Sequence, residues 1–325
     1  MLALGGWSLG TGETVTVRLG QVCYVYRAAG RVIAFCALCL AASACNRIGY
    51  GLDAVRDPPT REVVVTPDGN YSLYSITTGP SDPAGPDRAV YFIGGSGCAS
   101  LSVYLTHYFR GFPGGYRVYA LEKEGVSPGG FGFRCSADFW KTYTLDRMTE
   151  RNREMLQFVM DRHGTALAGV MGTSEGGPIA VKLAASRPDI PRLAVIGAGG
   201  MTMREVLKIL ARRRGQDSEL NTLLSQIDQD PLATDRFVLG LTHAYWTSVL
   251  DVDPTPDLKA LRGPVLVVIG AQDQNVPVES ARKAAAVLRN GDLWEVEGAD
   301  HVFNSPTGNR RAEVMQAVGQ FFGTP

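Results

Sequence analysis

The chain alternates between short β-rich runs and longer segments with helical spacing. Eight runs fit strands: 62–66, 71–77, 88–94, 116–121, 166–172, 192–197, 264–270 and 293–296. Five segments favour helices: 101–110, 136–163, 175–186, 278–289 and 310–322. Several middle runs are continuously apolar, which is typical of parallel strands covered on both faces. Because strands that alternate with helices build βαβ units, the pattern predicts an α/β fold around a mostly parallel, eight-stranded sheet.

Residues 201–261 break this alternation. They carry helical patterns, such as 204–214 and 218–227, and no convincing strand. A stretch of this kind between two βαβ units is expected to leave the sheet and return to it. We therefore predict a helical insertion that lies over one end of the sheet as a lid.

Composition narrows the class of protein. The chain has 325 residues, of which 45% are hydrophobic and 20% charged, which excludes a disordered or collagen-like chain. Lys and Arg number 32, and so do Asp and Glu, so the formal net charge is zero. This balance gives no electrostatic support for a nucleic-acid partner.

An apolar run of 13 residues occupies 32–44, after Arg27 and Arg31. It is shorter than the ~20 residues that span a bilayer, and its positive flank fits the apolar core of a secretory signal. Small residues at 42–44 precede Cys45. This resembles a bacterial lipoprotein signal, in which the cysteine is acylated and becomes the new amino end. The alternatives are an ordinary cleaved signal or an uncleaved anchor.

The predicted organisation follows from this signal. Residues 1–44 form the signal segment, residues 45–61 a polar tether, and residues 62–325 the folded domain. The resemblance implies a protein exported to the cell envelope and held on a bacterial membrane by a lipid on Cys45.

Two cysteines other than Cys45 follow the signal segment, Cys98 and Cys135. An oxidising compartment would allow them to form a disulfide. Both lie in predicted loops after strands, so a bridge is conceivable, and two inert thiols are the alternative.

The strongest chemical signal is Gly172-x-Ser174-x-Gly176. An apolar strand precedes it and a helix-compatible stretch follows it. A serine on so sharp a turn has a strained backbone, and its neighbours two positions away must lack bulk. The motif and its context resemble the nucleophile elbow of the α/β-hydrolases, which exposes the serine hydroxyl at the edge of the sheet.

The resemblance covers roughly residues 60–325 and implies a base and an acid for Ser174, in the order serine, acid, histidine. His301 follows the last predicted strand and is favoured over His243, which falls in the helical insertion. Asp273 follows the penultimate strand and is favoured over Asp300, the neighbour of His301. Ser174, Asp273 and His301 are thus the expected catalytic triad.

The resemblance also implies an oxyanion hole made of two backbone N–H groups. One belongs to Glu175, which follows the nucleophile. The second is expected at Ser96 in the glycine-rich loop after the third strand, with Gly95 or Gly97 as alternatives. The Glu175 side chain is open to two interpretations, a ligand for a substrate amine or a cap for the following helix.

These features predict a serine hydrolase that cleaves a carboxylic ester through an acyl-enzyme, without a cofactor or metal. Its expected substrate is a small molecule or a short peptide, and the sequence leaves the oligomeric state open. An aminopeptidase-like peptidase of the same fold is the first alternative. A non-catalytic, membrane-tethered binding protein is the second.

Overall fold

The computed structural model describes residues 49–79, 88–163 and 166–323. Eight strands form the main sheet: β1 (Thr60–Thr66), β2 (Gly69–Thr77), β3 (Arg88–Ile93), β4 (Tyr116–Leu121), β5 (Ala166–Thr173), β6 (Leu193–Ile196), β9 (Val265–Gly270) and β10 (Gly291–Val296). Two short pairs lie outside it: β7 (Phe237–Val238) with β8 (Leu241–Thr242), and β11 (Asn304–Ser305) with β12 (Gly308–Asn309).

The helices lie between the strands and at both ends of the described chain. They are α1 (49–56), α2 (Leu101–Tyr108), α3 (Ala137–Thr142), α4 (Leu145–His163), α5 (Gly176–Ser186), α6 (Met203–Arg214), α7 (Asp217–Gln229), α8 (His243–Val249), α9 (Thr255–Ala260), α10 (Val278–Val287) and α11 (Arg311–Gly323). Within the described ranges, none of them combines the length and the apolar character needed to cross a membrane.

The sheet has the order β1-β2-β4-β3-β5-β6-β9-β10. The pairs β1–β2 and β2–β4 are antiparallel, and every other neighbouring pair is parallel. The prediction of a mostly parallel, eight-stranded sheet is therefore confirmed.

Apolar side chains cover both faces of this sheet because successive strand residues point to opposite sides. In β9, Val267 and Ile269 join the core shared with α4, α5 and α10, whereas Val268 joins the core shared with α2 and α11. This double burial explains why the central strands are continuous apolar runs in the sequence.

The predicted helix over 136–163 is in fact two helices, α3 and α4. The chain leaves the helical conformation at Tyr143, whose ψ is 77°. There the Tyr143 ring is buried, and its hydroxyl bonds to Glu175. A tertiary contact therefore interrupts a stretch whose spacing alone favours one long helix.

Residues 45–61 were predicted to form a polar tether, but most of the residues that the structure describes in this range form a helix and the start of a strand. Residues 49–56 form α1, and β1 begins at Thr60. Asp53 anchors α1 on α2, because its carboxylate lies 2.6 Å from His107 Nδ1 and also pairs with Arg110. The prediction of a linker rested on polar composition, which does not reveal a buried partner for Asp53.

The helical insertion over 201–261 contains α6 to α9 and, in addition, the short β7–β8 hairpin. Leu239 and Gly240 form its turn with positive φ angles of 49° and 80°. Strands of two residues have no periodicity to detect, and a leucine at positive φ is not a turn signal. A lid role for the insertion stays a prediction.

Candidate active site

Ser174 lies on a tight turn between β5 and α5, with a φ of 50°. The glycines on either side leave no room for a side chain. A Cβ on Gly172 would lie 2.3 Å from the Gly176 carbonyl oxygen, and a Cβ on Gly176 would lie 2.2 Å from the Ile93 carbonyl oxygen. The Gly-x-Ser-x-Gly spacing is thus a steric requirement of this turn.

Ser174, Asp273 and His301 lie together at the carboxyl edge of the sheet. His301 Nε2 is 3.0 Å from Ser174 Oγ, and His301 Nδ1 is 2.7 Å from Asp273 Oδ2. Each residue follows a parallel strand, namely β5, β9 and β10, and parallel strands bring their carboxyl ends to one edge. The arrangement can move a proton from the hydroxyl to the imidazole.

Asp273 is held by its own turn. Its side chain is fully buried, and Oδ1 accepts the backbone N–H groups of Asn275 and Val276, both at 2.8 Å. These bonds leave Oδ2 for the imidazole. A carboxylate fixed in this way selects the His301 tautomer that presents Nε2 as a proton acceptor to Ser174.

The two residues weighed against this set are engaged elsewhere. His243 Nδ1 lies 3.0 Å from the Asp230 carbonyl oxygen, inside the helical insertion. Asp300 accepts the backbone N–H groups of Val302 and Asn304 and shapes the turn that carries His301. Within the described residues, neither of these side chains forms a hydrogen bond with Ser174 or with the His301 ring.

The glycine-rich loop after β3 packs against Ser174. A Cβ on Gly95 would lie 3.4 Å from Ser174 Cβ, so the loop backbone runs beside the hydroxyl. The Gly97 N–H is used within the protein, since it donates to Tyr143 Oη at 3.0 Å. Of the three donors considered from the sequence, this bond makes Gly97 the least suited to an incoming oxyanion.

The Glu175 side chain neither caps α5 nor faces solvent. Its Oε2 forms an ion pair with Lys123 Nζ at 2.7 Å, and its Oε1 accepts a hydrogen bond from Tyr143 Oη at 2.5 Å. The exposed fractions of the Glu175 and Lys123 side chains are 4% and 17%. Neither interpretation of this carboxylate from the sequence describes the buried pair that it forms.

Lys123 connects this pair to the glycine-rich loop. Its ammonium donates to the carbonyl oxygens of Gly95 at 2.6 Å and Gly97 at 3.2 Å. Together with the Tyr143 contact to Gly97, these bonds hold both sides of Ser96. Lys123 was not predicted from the sequence, although its place two residues after the end of β4, at the carboxyl edge of a sheet, was an available signal.

Burial and the Glu175 charge both raise the pKa of two tyrosines near the ion pair of Glu175 and Lys123. Desolvation, followed by Glu175, raises the pKa of Tyr143 well above its ordinary value. The same two causes, in the same order, raise the pKa of Tyr245, whose ring stacks on Tyr143 with centroids 4.9 Å apart. Both phenols therefore remain protonated hydrogen-bond donors at neutral pH.

A disulfide joins Cys98 to Cys135, with a Cα–Cα distance of 5.5 Å. Cys98 is buried and directly follows the loop that carries Ser96. Cys135 lies just before α3. The bridge therefore connects the glycine-rich loop to the segment that leads to Tyr143.

A cavity of about 270 Å³ opens beside Ser174. The described residues that line it are Tyr50, Phe92, Gly94, Gly95, Ser96, Gly97, Ala99, Leu101, Tyr104, Tyr108, Leu121, Glu122, Lys123, Thr173, Ser174, His301, Val302, Phe303 and Arg311. None of these comes from the insertion over 201–261. The insertion instead contacts the α3 region, through Tyr143 with Tyr245 and Trp140 with Phe237.

The predicted signal segment and lipid anchor concern residues that are not part of this site. Residues 1–44, predicted as the signal segment, and Cys45, predicted as the lipidation site, lie outside the described residues. Across 49–79, 88–163 and 166–323, no group of three or more His, Cys, Asp or Glu side chains is arranged to hold a metal ion.

No family model and no curated protein matches the chain. Solved structures do. An alpha/beta hydrolase fold protein from Chitinophaga pinensis superposes with a TM-score of 0.56 at 16% identity, covering 84% of this chain and 100% of that one. The esterase domain of a Rhodothermus marinus protein gives 0.54 at 16% identity, covering 81% and 97%.

A third similar structure is a puromycin-hydrolyzing peptidase from Mycobacterium tuberculosis. Its TM-score is 0.54 at 14% identity, with 82% of this chain covered but only 40% of the peptidase. At these identities the similarity concerns the fold. The chain has the α/β-hydrolase fold, as the sequence resemblance implies.

Proposed function

We propose that the protein is a serine hydrolase that cleaves a carboxylic ester through an acyl-enzyme intermediate. The observation that carries the proposal is the continuous chain from Ser174 Oγ to His301 Nε2 at 3.0 Å and from His301 Nδ1 to Asp273 Oδ2 at 2.7 Å. A serine hydroxyl needs an adjacent base to act as a nucleophile, and the base needs an orienting group.

In the first half-reaction, Ser174 Oγ attacks the ester carbonyl carbon and its proton passes to His301 Nε2. The N–H groups of Glu175 and Ser96 stabilise the negative oxygen of the tetrahedral intermediate. The C–O bond to the alcohol then breaks, and His301 returns the proton to the leaving oxygen. An ester between the acyl group and Ser174 remains.

Water completes the cycle. His301 takes a proton from the water while its oxygen attacks the acyl carbon, and the same N–H groups stabilise the second intermediate. Collapse breaks the bond to Ser174 Oγ, which recovers the proton from His301. The acid product leaves, and the buried Asp273 carboxylate stabilises the imidazolium during both halves.

Labelling with a fluorophosphonate probe tests this function. The wild-type chain should react at Ser174, because the probe phosphonylates a hydroxyl that has an adjacent base, with loss of fluoride. Ser174→Ala should not react, and Ser186→Ala, which changes the serine at the last position of α5, should react like wild type. A wild-type chain that fails to label would favour the non-catalytic binding protein.

The substrate class needs a second measurement. Because the similar structures include an esterase domain and a peptidase by name, hydrolysis of ester bonds and of amide bonds should both be assayed. We expect 4-nitrophenyl esters to be cleaved with a higher kcat/KM than aminoacyl 4-nitroanilides. The Glu175 carboxylate is already paired with Lys123, so it is not available as a ligand for a substrate amine. A preference for the anilides would overturn the esterase proposal in favour of the peptidase.

Export and anchoring are part of the proposal. A disulfide at Cys98–Cys135 suits an oxidising compartment, and Cys45 lies a few residues before α1. Mass spectrometry of the mature amino end should find a lipid on Cys45, and Cys45→Ser should release the protein from the membrane fraction. An unmodified Cys45 in a membrane-bound protein would refute the lipid anchor.

A further inference from the structure

One wall of the cavity beside Ser174 is formed by two tyrosines of α2. Tyr104 and Tyr108 are four positions apart, so they lie on the same face of the helix. Tyr108 Oη donates to Thr173 Oγ1 at 2.8 Å, next to the nucleophile. Tyr104 Oη packs against the loop at Gly94, where a Cβ would lie only 2.6 Å from it. The wall is aromatic and carries hydroxyl groups close to the reacting centre.

Arg311 lies on this wall. Its guanidinium carbon is 5.8 Å from the centre of the Tyr108 ring, and the side chain lines the cavity. The neighbouring Arg310 pairs with Glu313 through two bonds, at 2.8 and 2.6 Å. Among the ion pairs of the described residues, none involves Arg311. Of these two adjacent arginines, only Arg311 has a charge available to a ligand.

The Lys123 and Glu122 side chains on the cavity wall are both engaged by neighbouring groups. Lys123 is paired with Glu175 at 2.7 Å. Glu122 Oε2 accepts hydrogen bonds from Ser100 Oγ at 2.6 Å and from the Leu101 N–H at 3.0 Å, at the start of α2. Burial raises the pKa of Glu122 to about 7, so its negative charge is incomplete at neutral pH. Among the described residues that line the cavity, Arg311 is therefore the arginine or lysine without a paired carboxylate.

The field of this charge reaches the surrounding side chains. Burial raises the pKa of Tyr108, and Arg311 opposes that rise. Burial lowers the pKa of His107, and Arg311 adds to that decrease although Asp53 opposes it. The same positive charge would attract an anion that enters the cavity.

We infer that Arg311 binds a carboxylate of the substrate, and that the preferred substrates are small esters with a second, ionised carboxylate, such as monoesters of dicarboxylic acids. This inference rests on the proposed hydrolase function. A guanidinium is weakly hydrated and presents a planar fork of donors that matches a carboxylate. The volume of about 270 Å³ lies just below the usual range of small-molecule sites, which favours a compact ligand.

A pair of substrates that differ in one charge tests the inference. The neutral one is 4-nitrophenyl hexanoate, and the anionic one is the mono-4-nitrophenyl ester of adipic acid, which has the same number of acyl carbons. We expect wild type to have the higher kcat/KM for the anionic ester. Charge-assisted hydrogen bonds typically give a discrimination of about tenfold or more.

Substitution of the arginine should remove this preference. Arg311→Gln should lower the ratio of kcat/KM for the anionic to the neutral ester by about tenfold or more, and Arg311→Lys should lower it less. Arg310→Gln is the matched control, since its charge is paired with Glu313, and it should leave the ratio unchanged. Added salt should reduce the preference of wild type but not of Arg311→Gln.

Three outcomes would overturn the inference: equal kcat/KM for the two esters in wild type, a preference for the neutral ester, or an Arg311→Gln variant that loses activity on both by the same factor. The last would mean that Arg311 maintains the shape of the cavity. Failure of the proposed function would look different, because wild type would then neither label with the fluorophosphonate nor cleave either ester.

Discussion

The pair formed by Lys123 and Glu175 offers the sharpest perturbation of the site. Lys123→Met keeps the length and the apolar stem of the side chain and removes the ammonium. The change leaves the Glu175 carboxylate, with an exposed fraction of 4%, without its cation. It also leaves the carbonyl oxygens of Gly95 and Gly97 without the donor that now lies 2.6 and 3.2 Å away.

The expected loss of stability follows from burial. Removing one partner of a buried ion pair lowers the free energy of unfolding by about 3–5 kcal/mol. We expect the lower end, about 3 kcal/mol, because 17% of the Lys123 side chain is exposed and Tyr143 still donates to Glu175. Lys141→Met is the matched control. Its pair with Asp138 is largely exposed, so the loss should stay below about 0.5 kcal/mol.

The expected loss of activity has a different origin. The bonds from Lys123 hold the carbonyl groups on both sides of Ser96, whose N–H is one of the two proposed oxyanion donors. Removing one such donor costs about 10² to 10³ in kcat. Because the loop keeps its disulfide and the Tyr143 contact, we expect kcat to fall about 10²-fold while KM changes little.

The double variant Lys123→Met/Glu175→Gln separates the two effects. Its buried carboxylate is neutral, so urea unfolding should show most of the lost stability restored. Hydrolysis of 4-nitrophenyl acetate should remain slow, because the loop carbonyls still lack the ammonium. The reasoning would be refuted by a Lys123→Met enzyme with kcat within about twofold of wild type, or by a double variant with full activity.

The acid, the disulfide and the buried Glu122 each allow a further measurement. Asp273→Asn should lower kcat about 10⁴-fold, because an amide favours the wrong His301 tautomer; a loss below about tenfold would contradict this role. Replacing Cys98 and Cys135 together by serine should lower the free energy of unfolding by about 4 kcal/mol, given the separation of 37 residues. An unchanged urea midpoint, against oxidised wild type, would contradict that value. Burial raises the pKa of Glu122 from 4.5 to about 7, so the folded state retains a proton that the unfolded chain releases. Its contribution to stability, about 3 kcal/mol, is therefore complete below pH 4.5 and lost as pH rises through 7. Relative to Glu122→Gln, wild type should thus lose stability between about pH 5 and about pH 8, and parallel pH profiles would exclude the shift.

The strands were predictable from the sequence because a buried strand requires apolar residues at consecutive positions. A parallel strand covered on both faces is apolar throughout, as β9 is, and the run predicted at 264–270 differs by one residue from the observed Val265–Gly270. The elbow was predictable for a similar reason. The turn at Ser174 excludes side chains at Gly172 and Gly176, so a pattern of five residues is enough to indicate the turn.

The helix over 136–163 and the tether over 45–61 show where local patterns mislead. At the end of α3, the Tyr143 hydroxyl bonds to Glu175, more than thirty residues away. Asp53 belongs to an ordered helix because its carboxylate meets His107 and Arg110. Spacing and polarity carry no information about such partners, since they become neighbours only on folding.

The sequence by itself determined the α/β architecture, the serine on its elbow and the two residues proposed to act with it. Each of these depends on local sterics, or on the rule that parallel strands end at one edge of the sheet. Only the tertiary structure decided what the isolated charges do. Lys123, Glu175 and Arg311 are ordinary polar residues in the sequence. Their different roles arise because folding buries a counter-charge beside Lys123, whereas no ion pair of the described residues involves Arg311.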